Sequence, residues 1–526
     1  MRFIPPPRGR KAWITALILP AALSLCSAAL ATAPASAGTK AASPAGSSLP
    51  HVTGPLPVTA SSHPFGAADH EGTPENLKKA GYVEEEYLLS GTANVYSWPK
   101  AGPAQVRTAG APYTTRILVR RPAKASRFSG NVVTEMLNPS NLFDLNIGWA
   151  MMHRQLIADG DVWVGVTAKP VSVVALKKFD PGRYGSLSMA NPLPLNDPRN
   201  CANVPADSSR TTENGLAWDI FSQLGGLLRS TGRGNPVSYA DRGGHARVRH
   251  LYGFGYSQTG GYLYDYINGI HPLDVQRNGG RPTYDGYIVA VAGGDFVGAV
   301  PMNQCDPVPP TGDPRKQFSD VGVPIIHLMS QSDYLTGIAS RRPDSDKPAD
   351  RYRGYEMAGA GHATPDELHY SAAPADIEKA GQPAPPMNCN EGPRSRFPSH
   401  IFFDAALRNL DQWVRRGVRP PHASPIEVEN GKPVLDQYGN VQGGLRSPYL
   451  DVPTSTWYGN STGASFCSIA GHEVPFTPQR LAQLYPDHGT YVRAVTRDTE
   501  RLVAGRFLTR ADGTEIIREA AHADVP

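Results

Sequence analysis

An α/β fold is what this sequence predicts, with a mostly parallel central sheet, helices on both faces and long cap-forming loops. Three observations predict it. Short apolar runs of the buried-strand type recur along the chain: "NVVTEMLN" (131–138), "DVWVGVTA" (161–168), "VRHLYGFG" (248–255), "YIVAVAGG" (287–294) and "VPIIHLMS" (323–330). Segments of helical periodicity lie between and after them. Pro/Gly-rich stretches, longer than ordinary connections, fall at 169–210, 301–320, 370–398 and 420–465, where they would gather at the carboxyl edge of the sheet.

The N-terminus reads as a leader. Arg2, Arg8, Arg10 and Lys11 form a basic start, residues 13–33 are apolar, and "ASA" at 35–37 is an A-x-A cleavage site. Residues 1–37 are therefore expected to be a signal peptide, and the protein to be secreted. The leader carries four basic and no acidic residues. Subtracting them takes 51 Lys+Arg to 47, against 47 Asp+Glu, so the exported chain is close to neutral. That removes the electrostatic basis for nucleic-acid binding. No second stretch is long and apolar enough to span a bilayer. Cys26 leaves with the leader. Cys201, Cys305, Cys389 and Cys467 remain, an even set in an exported chain, which predicts two disulfides in one of three pairings. Zinc-ligand spacings are missing, and no metal or cofactor is expected.

Residues 38–62, rich in Ala, Ser, Pro and Gly, read as a flexible lead-in, and 63–526 as a single domain. The domain begins with "YVEEEYLLSGTANVYSW" and "YTTRILVRRP", whose alternation predicts antiparallel strands. "ENGLAWDIFSQLGGLLRS" is a helix with Leu216, Ile220, Leu224 and Leu227 on one face. "YRGYEMAG" (352–359) is a further strand. A late helix spans 399–415, with Ser399 as its N-cap and Gly417 beyond its end.

The chemistry starts at "GFGYSQTGG". A strand runs into a tight turn holding Ser257, and helical periodicity follows. Such an elbow exposes a serine hydroxyl at the sheet edge. It nearly matches G-x-S-x-G, but Thr259 stands where the second glycine is usual. Gly255 gives the close approach of strand and helix, and Gly260 and Gly261 follow one step later. A serine nucleophile needs a base, and the base needs an orienting carboxylate. In doubly wound hydrolases the order is Ser, acid, His. Asp333, in "SQSD" after one strand, and His362, in "GAGH" after the next, fit that order. Asp295, in "AGGDFVG", is the alternative acid. The oxyanion hole is expected from the backbone N–H of Gln258 and a second N–H on "MLNPSNLFD", with Asn138, Ser140 and Asn141 as candidates.

These residues resemble the secreted α/β-hydrolase-domain family of serine hydrolases. The blocks "VVTEMLNPSNLFDLNIGW", "YEMAGAGHA" and "GNVQGGLRSPYLDVP" extend the resemblance from about residue 60 to the C-terminus. It implies an α/β-hydrolase fold and serine-hydrolase chemistry. The elbow is also similar to that of glucuronoyl esterases, where G-C-S-R-x-G is usual. Here Tyr256 replaces the cysteine and Gln258 the oxyanion-stabilising arginine, which argues against borrowing their substrate. Some of those enzymes place the acid after the previous strand, so Asp295 stays open. The expectation is a secreted esterase acting on a small-molecule or polysaccharide-linked ester. A peptidase or amidase with the same triad is a second reading. A non-catalytic extracellular binding protein on a hydrolase scaffold is a third.

Overall fold

The computed structural model describes residues 49–232, 234–239, 247–293 and 300–526. The expected leader, Cys26 and Asp295 lie outside them. Ten strands make one sheet: β1 (His51–Thr53), β2 (Tyr82–Ser97), β3 (Gln105–Pro122), β4 (Asn131–Met136), β5 (Val162–Val166), β6 (His250–Tyr256), β7 (Gly286–Ala290), β8 (Ile325–Ser330), β9 (Ser345–Lys347) and β10 (Asp350–Met357). Their order is β1-β2-β3-β5-β4-β6-β7-β8-β10-β9. From β5 through β4, β6, β7 and β8 to β10 every neighbour is parallel. The amino-terminal strands and β9 pair antiparallel at the two ends. β4, β5, β7 and β8 are buried along their whole length, so both their faces are covered and the alternation of exposed and buried positions disappears.

Strand β6 shows how sequence sorts the two faces. Phe254 and Tyr256 project to one side, where they meet Phe403 of the late helix. Gly253 and Gly255 face the other side, where a Cβ would run into Tyr287 and into the Thr259 carbonyl. The first layer holds α1 (Ile147–Asp159) and the late helix, His400–Arg416; the second holds Ala217–Arg229 and Gln258–Asp265. In chain order α2 is Pro170–Phe179, α3 is Ala217–Arg229, α4 is Gln258–Asp265 and α5 is His400–Arg416. Two C-terminal helices, α6 (His488–Ala504) and α7 (Arg510–His522), pack on each other.

Several local expectations need correction. The lead-in was expected to be flexible to residue 62, yet His51–Thr53 pairs with β2. Beyond it Arg183 donates to the Pro57 carbonyl at 2.7 Å and Ser62 to Asp180 at 2.6 Å. Backbone pairing and two side-chain ties fix a segment whose composition alone suggested a tether. The Pro/Gly-rich stretch 169–210 opens with α2, because Pro170 sits at the first helical turn, where its missing N–H costs nothing. Ser399 precedes α5 but makes no side-chain cap. Its hydroxyl is turned toward the Met151 sulfur of α1 at 4.0 Å.

The disulfides are Cys201–Cys305 and Cys389–Cys467, each with Cα atoms 5.6 Å apart. Of the three pairings open to sequence, this one ties each long loop to a second loop.

A buried ionic knot crosses β2 and β3. Arg116 bonds Glu86 at 2.8 Å and Asp144 at 2.9 Å, and Arg183 reaches Glu86 from outside. Arg116, Glu86 and Asp144 are all buried. Removing one member strands the others without water. Asp144→Ala is expected to destabilise the protein by about 3–5 kcal/mol, read as a lowered urea midpoint at unchanged m-value.

Candidate active site

The chain turns at Ser257 with φ 54° and ψ −118°, a strained conformation for a residue with a side chain. Its amide donates to the Ala290 carbonyl of β7 at 2.9 Å, fixing the turn to the sheet. The next residue starts α4. Strand and helix nearly touch: a Cβ on Gly255 would lie 2.3 Å from the Thr259 carbonyl, and one on Gly260 would lie 2.5 Å from the Ala292 Cβ. Both positions therefore need glycine. Thr259 has a distinct use. Its hydroxyl donates to the Tyr256 carbonyl at 3.1 Å and accepts from the Tyr256 amide at 3.2 Å. It closes the elbow with hydrogen bonds that a glycine could not make.

Ser257, His362 and Asp333 come together from 105 and 29 residues apart. Ser257 Oγ lies 2.8 Å from His362 Nε2, and His362 Nδ1 lies 2.8 Å from Asp333 Oδ1. An ionised carboxylate only accepts, so Nδ1 carries the proton and Nε2 is left to accept from the serine hydroxyl. The other Asp333 oxygen, Oδ2, accepts from the Ser330 amide at 3.2 Å and from the Ser330 hydroxyl, in a capping box at the end of β8. Burial disfavours the His362 imidazolium, but the charge and hydrogen bond of Asp333, with Glu367 nearby, outweigh it and hold the pKa above its ordinary value. Glu367 is itself buried, which pushes its carboxyl up to about 7 despite Arg394.

The His362 loop is clasped from behind by a segment that sequence reading did not connect to the site. The His362 amide donates to the Ile469 carbonyl at 2.8 Å and to Ser332 Oγ at 3.0 Å. Ser332 Oγ in turn donates to the Gly459 carbonyl, with the Ile469 carbonyl 3.0 Å away as its second neighbour. A Cβ on Gly361 would lie 2.2 Å from the Ala470 carbonyl. Tyr256 donates its hydroxyl to the His362 carbonyl at 2.6 Å. The Cys389–Cys467 disulfide anchors this clasp three residues before Ala470. The only sequence signal was the run of small residues around Cys467, which does not say what it packs against.

The loop after β4 differs from expectation. The Asn138 amide already donates to the Leu145 carbonyl at 2.9 Å, and the Ser140 amide to Asn138 Oδ1 at 2.8 Å. Neither N–H is therefore available to an oxyanion as the loop stands. Asn138 serves the site differently: its Nδ2 donates to the Tyr256 carbonyl at 2.7 Å and ties the loop to the elbow. The Asp144 end of the loop is held by Arg116 and Thr167. The Gln258 amide stands at the open N-terminus of α4, adjoining Ser257, as expected for a first helical N–H. Among the described residues, no group of three or more His, Cys, Asp and Glu side chains is placed to hold a metal ion.

The arrangement is a relay of hydroxyl, imidazole and carboxylate at the carboxyl edge of a parallel sheet. Matches among solved structures include the esterase Est22, 10% identical over 59% of this chain and 82% of that one, with a TM-score of 0.30. A glucuronoyl esterase from Solibacter usitatus is 9% identical over 57% of this chain and 81% of that one, with a TM-score of 0.26. Likeness at this level says nothing of substrate. No curated protein matches the chain significantly. A family model described as an alpha/beta hydrolase domain matches residues 52–518, and with the sheet order and elbow described above, the chain belongs to the alpha/beta hydrolase domain family.

Proposed function

We propose that this protein is a secreted serine hydrolase that cleaves a carboxylic ester through an acyl-enzyme. The observation that carries the reading is the pair of 2.8 Å contacts linking Ser257 to His362 and His362 to Asp333. His362 Nε2 takes the hydroxyl proton as Ser257 Oγ bonds to the carbonyl carbon. Asp333 holds the imidazole in the required tautomer and stabilises the imidazolium. The Gln258 N–H, with Asn141 as the remaining candidate on the loop after β4, steadies the tetrahedral oxyanion. Collapse breaks the bond to the alcohol oxygen, which leaves with the proton from Nε2. Water, deprotonated by the same nitrogen, then attacks the acyl carbon, and Nε2 returns that proton to Ser257 Oγ as the acid leaves. Each half-reaction is balanced in protons.

The basic start and A-x-A site of residues 1–37, together with two disulfides, support export. Among the described residues no helix is long and apolar enough to cross a membrane. Residues 63–526 are assigned to one catalytic domain.

Matched ester and anilide substrates of one acyl group test the assignment to esters, with hydrolysis of the ester alone expected. Equal turnover of the anilide would move the assignment to an amidase. The pH profile tests the base. Only neutral His362 accepts the serine proton, so kcat/KM should rise with pH. Because the folded pKa is held above its ordinary value, the inflection should lie above about 6.5. Asp333→Asn should lower that inflection as well as the plateau.

A further inference from the structure

We infer that Tyr256 is a positioning residue whose hydroxyl holds His362 in line with the Ser257 hydroxyl. The inference rests on the serine-hydrolase reading and adds to it a residue that acts through the base. Tyr256 directly precedes Ser257, and both its backbone and its side chain are committed. Its backbone pairs with Ala290 of β7. Its carbonyl accepts from Asn138 Nδ2 at 2.7 Å and from Thr259 Oγ1 at 3.1 Å, and its amide donates to Thr259 Oγ1 at 3.2 Å. The loop after β4, the elbow and the start of α4 therefore meet at one residue. Its side chain lies on the α5 face beside Phe403, and its hydroxyl donates to the His362 carbonyl at 2.6 Å. The tyrosine and imidazole rings meet edge to face, with centroids 5.8 Å apart at 78°. Tyr256 and His362 are both buried.

This bond joins the two halves of the reacting contact. The His362 amide donates to the Ile469 carbonyl at 2.8 Å and to Ser332 Oγ at 3.0 Å, and its Nδ1 lies 2.8 Å from Asp333 Oδ1. Those ties run to the clasp and to the loop that carries the acid. The tie to Tyr256 runs to the elbow itself. One residue thus fixes both the backbone that carries Ser257 Oγ and the backbone that carries His362 Nε2, atoms 2.8 Å apart. Phenylalanine at 256 would keep the ring and remove the donor, so the buried His362 carbonyl loses a hydrogen bond that water does not replace. The base is then held to the clasp and to the acid but no longer by a side chain of the elbow. Nε2 takes or gives a proton at each step of both half-reactions. A small drift of the imidazole against Oγ therefore slows proton transfer while leaving ester binding intact.

The test is Tyr256→Phe, alone and combined with His362→Ala, on p-nitrophenyl butanoate, with the folded fraction read by circular dichroism. Tyr256→Phe is expected to lower kcat by about tenfold or more, with KM within about twofold of wild type. In the His362→Ala background the same change should lower kcat by less than about twofold, because the base it positions is gone. A bond that only stabilises the fold would lower turnover by the same factor in both backgrounds. Replacing Tyr256 by 4-aminophenylalanine, which returns an N–H donor to the same place, should recover most of the lost kcat. Unchanged kcat in Tyr256→Phe, an equal loss in both backgrounds, or a loss confined to KM would overturn the inference and leave the hydrolase reading standing. A Tyr256→Phe chain that does not fold would assign the bond to stability alone and also overturn it. A folded wild-type chain inert on the ester, or one whose turnover survives Ser257→Ala, would overturn the hydrolase reading and the inference with it.

Discussion

Ser257→Ala is expected to lower kcat on a carboxylic ester by about 10⁴-fold or more, with the fold unchanged by circular dichroism. In the proposed mechanism the substitution removes the atom that would bond the acyl carbon, while leaving the helix N-terminus and the loop after β4 in place. Residual turnover would come from water attacking in a site that still steadies an oxyanion. His362→Ala should fall to a similar floor, and the double variant should be no worse than either single one, because nucleophile and base act as a unit. An additive loss would mean that the 2.8 Å contact between them is not used in the reaction.

Loss of the Cys389–Cys467 disulfide is the second large effect. The bond closes a loop of 78 residues, and cross-links of that span restrict the unfolded chain by about 4.5 kcal/mol. Cys389→Ser with Cys467→Ser should lower stability by about 2–5 kcal/mol. It should also lower kcat more than it raises KM, because the clasp from Gly459 to Gly471 holds the His362 amide and the Ser332 hydroxyl. Removing Cys201–Cys305, which joins loops away from that clasp, should cost comparable stability with a smaller loss in kcat. Urea midpoints and steady-state kinetics on both double variants separate the two roles. Equal kinetic losses would show that the clasp has no special hold on His362.

Much of the site was legible because its signals are local. The run from β6 through Ser257 into α4 is a continuous stretch whose periodicity changes from strand to helix at the serine. Asp333 and His362 each follow a strand within a few residues, so chain order placed them near the same sheet edge. The need for glycine at 255 follows from how closely a strand and the next helix pack. What stayed hidden is long-range. The clasp behind His362 lies about a hundred residues further on, in small residues without periodicity. The assignment of Asn138 and Ser140 to the oxyanion failed because a backbone N–H reveals nothing of its acceptor in sequence, and here the loop closes on itself through the Asn138–Leu145 pair. Thr259 looked like a defect in a glycine motif, whereas its hydroxyl bonds the elbow shut. The C-terminal helices carry local signals of their own: Asp487 accepts from the Thr490 amide as an N-cap, and Tyr491, Val495 and Leu502 form a buried stripe.

The most direct measurement is covalent labelling of the folded, disulfide-intact protein with a fluorophosphonate, with the modified residue located by mass spectrometry. Adduct on Ser257, absent in Ser257→Ala and strongly slowed in His362→Ala, is the predicted result. A folded protein that hydrolyses esters but carries no adduct at Ser257, or labels as fast without His362, would contradict it.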